Sequence, residues 1–133
     1  NVYSEELAKT SIAWYCPKSL VKGSKKRFPE LLSELPILLP TSHSTVRLLI
    51  DQWFNKQGIT PNIVGEFEDS ALLKTFAASG LGAFPAAKQI EKELKDTYGM
   101  ELLGNCDDIY EYFYAIRSEK KIQHPLVEAI IKQ

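Results

Sequence analysis

Short apolar segments alternate with amphipathic helical segments along this chain, and this alternation constrains the fold more than any other feature. The strand-like segments are 11–16, 37–39, 61–67, 81–84, 100–103 and 109–116. Helical patterns lie between several of them, an order that favours βαβ units and parallel strands. We therefore predict an α/β fold with a mainly parallel sheet of about five strands and helices on both faces.

The helix boundaries follow from capping residues and glycines. Hydroxyl residues precede a helix with apolar positions Val46, Leu49, Ile50 and Trp53, and Gly58 follows its end. The next helix is capped by Asp69 or Ser70 and closed by Gly80. Further helical patterns cover 29–33, 87–98 and 125–131.

Composition indicates one ordinary globular domain of 133 residues, with 44% hydrophobic and 25% charged residues. A formal net charge of −1 provides no general field for nucleic acid. The basic stretch 18–27 is interpreted as a solvated loop, with phosphate contact as the alternative. Cys16 and Cys106 are interpreted as buried thiols. No apolar run is long enough for a membrane span and no signal peptide is seen, so a cytoplasmic location is expected.

One segment has a physical rationale for binding a ligand. Strand 37–39 leads into Thr41, Ser42, Ser44 and Thr45 at the start of a helix. Free backbone N–H groups and the helix dipole favour an anion or a polar ligand there, and ligands of open α/β sheets sit at the carboxyl ends of strands. Plain helix capping explains the same pattern, and from the pattern alone it is the stronger interpretation.

The other reactive side chains give weaker evidence for a functional site. Neither histidine, His43 nor His124, has a partner at metal-ligand spacing, and no G-x-S-x-G motif is present. Glu66, Glu68 and Asp69 are a candidate for a hard cation, although an acidic helix start is the commoner meaning. We therefore predict no enzyme activity, no cofactor and no metal site.

The segment from Pro40 to Pro85 resembles the effector-binding domains of LysR-type transcription regulators. The resemblance rests on the spacing of Arg47-Leu-Leu-Ile-Asp51, Trp53-Phe54 and Gly58-Ile-Thr-Pro61, followed by Ile63-Val64, an acidic turn and Gly80-Leu-Gly82 before Pro85. Residues 64–74, together with Arg117 and His124-Pro125, are similar to the sodium-responsive activators of a sodium/proton antiporter gene.

The resemblance implies one lobe of a two-lobed fold like that of periplasmic binding proteins. Residues 1–10 would be a remnant of the first lobe, and 11–117 the second lobe with both crossing strands, 11–17 and 109–117. Residues 118–133 would form a C-terminal helix that returns to the first lobe. The chain starts at Asn1 and contains no helix-turn-helix candidate, so we expect DNA to be bound only through a missing N-terminal domain.

The resemblance also implies a function: a small molecule or ion binds in the cleft between the lobes and controls DNA binding. The residues implied as effector ligands are Thr41, Ser42, Ser44, Thr45, Glu66, Phe67 and Asp69. A homo-oligomer is expected, because the helix 125–131 and the Tyr-rich face of 110–114 would lose their cover without the first lobe.

Two other functions compete with this one. A fragment of a solute-binding transport protein would have a similar two-lobed fold, and a secretion signal upstream would favour it. A small α/β hydrolase is the third hypothesis, and the missing nucleophile motif argues against it.

Overall fold

The computed structural model describes residues 3–117, of which 3–10, 107–108 and 110–117 are described by their backbone alone. The predicted helix at 125–131 lies outside the described residues. In chain order, the elements are strand β1 (Tyr3–Pro17), helix α1 (Lys18–Val21), a 3-10 turn (Glu30–Ser33), strand β2 (Pro36–Pro40), helix α2 (Thr45–Gln57), strand β3 (Asn62–Phe67), helix α3 (Ser70–Ala78), strand β4 (Phe84–Ala87), a 3-10 turn (Lys88–Ile90), helix α4 (Glu91–Tyr98) and strand β5 (Met100–Arg117).

The strands form two sheets of opposite character. β4, β1 and β5 make an antiparallel sheet with β1 in the centre, and β2 and β3 make a parallel pair. The expected single, mainly parallel sheet is therefore not confirmed. The reason is that β1 and β5 are long strands paired with each other from Tyr3↔Arg117 to Pro17↔Met100. The prediction that 11–16 and 109–116 lie in neighbouring strands is confirmed.

The two sheets join at Ala83, which bridges to Ile37 in parallel orientation. Leu38 donates its N–H to the Ala83 carbonyl, and Ala83 donates to the Pro36 carbonyl, both at 2.8 Å. Gly82 makes this approach possible, because a Cβ there would lie 2.7 Å from the Pro36 carbonyl oxygen. The five strands therefore follow one another across the molecule in the order β3, β2, β4, β1, β5.

Two predicted strand boundaries are wrong. The strand predicted at 81–84 lies at Phe84–Ala87. It includes Pro85 because β4 pairs along its length only with β1, while the bridge to β2 is made by Ala83 before it, so a missing N–H is tolerated on its other side. The strands predicted at 100–103 and 109–116 are one continuous strand, β5. The neighbouring β1 residues Ser11 and Ile12 pair with Tyr110 and Cys106, so the register is irregular here and residues 107–109 of β5 are accommodated as extra residues.

Alternating side chains of β1 divide the core into two layers. Ile12, Trp14 and Cys16 face one side of the sheet and Ala13 and Tyr15 the other, and all five are buried. Helix α2 covers the first side with Ile50, Trp53 and Phe54, whereas α3 and α4 cover the second with Leu73, Ala77 and Leu94. The prediction of helices on both faces is confirmed.

The first layer is built on aromatic contacts around Trp14. Its ring centroid lies 5.4 Å from that of Phe54 and 6.1 Å from that of Trp53. The buried indole N–H donates to the Cys106 sulfur at 2.9 Å, so the polar atom of the tryptophan is satisfied inside the core. This packing anchors α2 on the sheet and thereby fixes where its N-terminus lies.

Candidate functional site

The predicted effector segment is the loop that joins β2 to α2. β2 ends at Pro40, and α2 starts at Thr45 with Ser44 as its N-cap. The Ser44 hydroxyl accepts a hydrogen bond from the Arg47 N–H at 3.4 Å. Ser42 and Thr45 are exposed, whereas Thr41 and Ser44 are half-buried. The capping interpretation is therefore right for Ser44, whereas the hydroxyls of Thr41, Ser42 and Thr45 do not cap the helix.

Several backbone N–H groups of this loop and of the helix start have no hydrogen-bond partner. Among residues 3–117, the N–H groups of Ser42, His43, Thr45 and Val46 have no hydrogen-bond partner. An N-cap satisfies only part of the donors at a helix start, and the remainder seek water or a ligand. Because these groups sit at the positive end of a 13-residue helix, the loop is suited to an acceptor atom or a small anion.

The residues predicted on β3 lie beside this loop. Thr41 donates its N–H to the Phe67 carbonyl at 3.2 Å, which holds the ends of the two parallel strands together. The structure thus brings the two predicted groups, 41–45 and 66–69, to one edge of the sheet. Their side chains, however, have different partners from those expected.

Asp69 and Phe67 are engaged within the protein. The Asp69 carboxylate caps α3 by accepting from the N–H groups of Ala71 at 2.8 Å and Leu72 at 3.4 Å. The Phe67 ring packs on Phe76 with 5.4 Å between the centroids. Both residues therefore shape the edge of the site, and whether they also touch an effector stays a prediction.

Arg47 is a buried charged residue beside the loop that the sequence reasoning missed. It is buried, with 9% of its surface exposed, on the first turn of α2. Its Nε donates to the Asp51 carboxylate at 2.9 Å, and its Nη1 donates to the Pro40 carbonyl at 3.0 Å and to the Glu66 carboxylate. The available signal was an arginine three residues before Ile50, on the face of the helix that points inward.

These contacts keep Arg47 charged. Burial alone would lower its pKa, but the hydrogen bonds to Asp51 and Glu66 outweigh burial and raise it. The Glu66 carboxylate is committed to the guanidinium, and Asp69 is committed to its helix cap, so the predicted acidic cluster is divided between two structural tasks. Within the described part of the chain, no group of three or more His, Cys, Asp or Glu side chains is placed to hold a metal ion.

An open cleft of about 330 Å³ lies elsewhere, near the C-terminal end of α2. It is lined by Phe28, Pro29, Trp53, Gln57 and Asn105, none of which is a predicted site residue. Trp53 is only 6% exposed, since Phe28 stacks on it at 5.8 Å and covers it. The cleft offers little aromatic surface, and we place the candidate site at the loop 41–46 instead.

The fold and the site together define a class of protein. The family model described as "LysR substrate binding domain" matches residues 1–133. The chain therefore belongs to this family, the substrate-binding domains of the LysR type. The alternative of a transport-protein fragment is not favoured.

Among relatives, the transcriptional activator protein NhaR of Escherichia coli K12 is 30% identical over 130 residues. The match covers 98% of this chain and 42% of that protein, so the chain spans less than half of the relative's length. The nitrogen assimilation regulatory protein nac of the same organism is 33% identical over 51 residues, covering 38% of this chain and 17% of that protein.

Solved structures share the fold. The effector-binding domain of QuiR in complex with shikimate superposes with a TM-score of 0.67 at 15% identity, covering 98% of this chain and 62% of that one. The regulatory domain of HypT from Salmonella typhimurium superposes with a TM-score of 0.68 at 18% identity, with coverage of 98% and 62%. At these identities the likeness concerns the fold alone.

Proposed function

We propose that the loop 41–46 binds the effector of this regulator and that its occupancy controls DNA binding by a domain outside this chain. The observation that supports the proposal is the set of unpaired N–H groups on Ser42, His43, Thr45 and Val46, at an exposed loop between a strand end and a helix start. In the expected two-lobed architecture, residues 11–117 are the second lobe, and this loop faces the cleft toward the first. A ligand there shifts the balance between open and closed forms if it binds them unequally.

The chemistry of the loop favours a ligand that brings acceptor atoms. Backbone N–H groups donate, and the Thr41, Ser42 and Thr45 hydroxyls both donate and accept. Sodium, which the sequence likeness to sodium-responsive activators suggests, needs several oxygens at short range. Glu66 and Asp69 are already engaged, so a sodium ion would depend on hydroxyl and carbonyl oxygens.

The test of the proposed site is induction of a reporter gene by the full regulator. Ser42→Ala combined with Thr45→Ala removes two exposed hydroxyls while leaving the Ser44 cap intact, and Ser44→Ala is added in a third step. Thr97→Ala, an exposed hydroxyl on α4, is the matched control. We expect the double variant to lose most of the induction and the control to keep it.

Sodium chloride and potassium chloride at equal ionic strength are compared as inducers in this assay. A response to sodium alone would assign the ion, whereas equal responses would point to a different effector. If induction, folding and DNA affinity are all unchanged in the triple variant, the loop is only a helix cap and the assignment is wrong.

We further propose that the regulator works as a symmetric dimer. The faces first expected to associate, 110–114 and 125–131, lie outside the described side chains. In the described part, β3 pairs only with β2, and its residues Ile63 and Val64 have 38% and 47% of their surface exposed. An apolar edge strand of this kind favours pairing with a second copy. Val64→Lys should lower the mass measured by light scattering, and an unchanged mass would exclude this edge.

The remaining properties follow from the same function. The chain itself is proposed to be non-enzymatic, cytoplasmic and unable to bind specific DNA sequences. Part of the basic stretch is neutralised, since Lys18 lies 3.9 Å from Glu101 and Lys26 lies 3.8 Å from Glu34. Within residues 3–117, no helix has the length and apolar character needed to cross a membrane. Submicromolar, sequence-dependent DNA binding at physiological salt would contradict this proposal.

A further inference from the structure

The side chain of Arg47 holds in place the loop that the proposed function assigns to the effector. The loop leaves β2 after Pro40 and enters α2 before Arg47. Arg47 contacts this region at two points, since its backbone N–H donates to the Ser44 hydroxyl at the N-cap and its Nη1 donates to the Pro40 carbonyl at the end of β2. A single residue therefore ties the segment 41–46, with its unpaired N–H groups, to the end of β2.

The same guanidinium also ties the loop to the neighbouring strand. Nη1 donates to Glu66 on β3, and the adjacent Phe67 carbonyl accepts the Thr41 N–H. Two adjacent parallel strand ends and the first helical turn consequently meet at one planar group. A displacement of Arg47 would release Pro40, Glu66 and the loop together.

We infer that Arg47 is the positioning residue of the effector site, with Glu66 as its support. The inference rests on the proposed function of the loop. Glu66 then acts through Arg47 and does not touch the effector, which changes the role expected for it from the sequence. The backbone donors and hydroxyls of 41–46 recognise the effector, in the arrangement that Arg47 imposes.

The charges in this cluster show that Arg47 acts through geometry. It faces two carboxylates, Asp51 and Glu66, so the cluster as a whole carries no positive charge that would attract an anion. Both carboxylates are exposed by nearly half, at 45% and 48% of their side chains. Lysine would preserve the charge but has no planar fork to reach acceptors in three directions. Arg47→Lys therefore separates geometry from charge.

The experiment is a titration of this chain with sodium sulfate, followed by amide NMR, with sodium chloride at equal ionic strength as the reference. Variants are Arg47→Lys, Asp51→Asn and, as a control for loss of a cation on the same helix, Lys56→Gln. Thermal unfolding of each variant shows that it is folded at the temperature of the titration. The resonances of Ser42, His43, Thr45 and Val46 report the loop.

In the unmodified chain, we expect sulfate to shift the four loop resonances saturably. In Arg47→Lys, we expect those resonances to move even without sulfate and the dissociation constant to rise about tenfold, as when a supporting contact of a site is lost. Asp51→Asn and Lys56→Gln should stay within about twofold.

Each of the other outcomes contradicts either the inference about Arg47 or the proposed site. If folded Arg47→Lys binds sulfate as the unmodified chain does, Arg47 is a structural ion pair and the inference is wrong while the proposed site stands. If Lys56→Gln weakens binding as much as Arg47→Lys, sulfate binding does not depend on the contacts of Arg47 in particular and the inference is wrong. If sulfate does not shift the loop of the unmodified chain, the proposed anion-accepting site fails and the inference fails with it.

Discussion

Replacing Gly82 by alanine should weaken the junction between the two sheets of this domain. A Cβ at this position would lie 2.7 Å from the Pro36 carbonyl oxygen, 3.1 Å from its carbon and 3.2 Å from the Leu38 Cγ. The first two atoms belong to the backbone of β2, which cannot move aside as a flexible side chain can. The strain falls on the two hydrogen bonds through which Ala83 joins β2.

The magnitude follows from these contacts. Overpacking of a rigid interior costs about 1–3 kcal/mol. Weakening the two bonds of the junction adds up to about 0.5–1.5 kcal/mol for each bond. We therefore expect Gly82→Ala to lower the free energy of unfolding by about 2–6 kcal/mol, a large part of the roughly 5–15 kcal/mol available to a domain.

Urea unfolding measures this loss, and amide hydrogen exchange locates it. Gly99→Ala is the control, because Gly99 has a φ of 66° but nothing within 4 Å of its added Cβ, so it suffers only the local backbone cost of about 1–2 kcal/mol. Faster exchange at the Leu38 and Ala83 amides should appear in Gly82→Ala alone. A loss below about 1 kcal/mol with both amides still protected would refute the reasoning.

Three further predictions concern the core and the caps. Asp69→Ala should cost about 1 kcal/mol in urea unfolding while Asp69→Asn costs less, and equal stability of all three proteins would show that the cap is not used. Ile50→Ala should cost about 2–5 kcal/mol, against about 0.5–1.5 for Ile50→Val, and similar losses would mean that the α2 interface collapses around the cavity. Burial, reinforced by Glu101, raises the pKa of Cys16 to about 12 from an ordinary 9.0. The free energy of unfolding should therefore be retained below pH 9 and fall toward pH 12, by up to about 1.4 kcal/mol per pH unit, because the thiol ionises first in the unfolded chain. Cys16→Val should flatten this pH profile, and an unaltered slope would assign the loss to other groups.

The parts of the fold that sequence reasoning predicted correctly are governed by local interactions. The pattern predicts a hydroxyl cap before α2 and either Asp69 or Ser70 as the cap of α3; Ser44 and Asp69 are the caps, and each accepts an N–H from the first turn of its helix. The buried segment 11–16 was recognised because both of its faces are apolar, which matches its place in the centre of a sheet. Gly58 ends α2 with a φ of 71°, as a C-terminal glycine should.

The errors concern features that depend on distant partners. β5 was divided in two because Gly104 to Asp108 lack strand propensity, yet pairing with β1 carries the strand through this stretch. The Arg47–Glu66 ion pair is not visible in the sequence, since Arg47 on α2 and Glu66 on β3 meet only where the start of α2 lies beside the end of β3. For the same reason, the sequence pattern names Glu66 as a candidate effector residue without revealing its contact with Arg47.

The long pairing of β1 with β5 brings together the two ends of the segment between them, which also returns to β1 through β4. Pro17 lies opposite Met100, so residues 18–99 leave the strand pair and return to it at the same point. Opposed residues of antiparallel strands have Cα atoms only about 5 Å apart. A segment with adjoining ends can be exchanged between related chains without lengthening either strand. Grafting 18–99 onto the strand pair of another regulator would transfer the loop, Arg47 and both of its carboxylates as one unit.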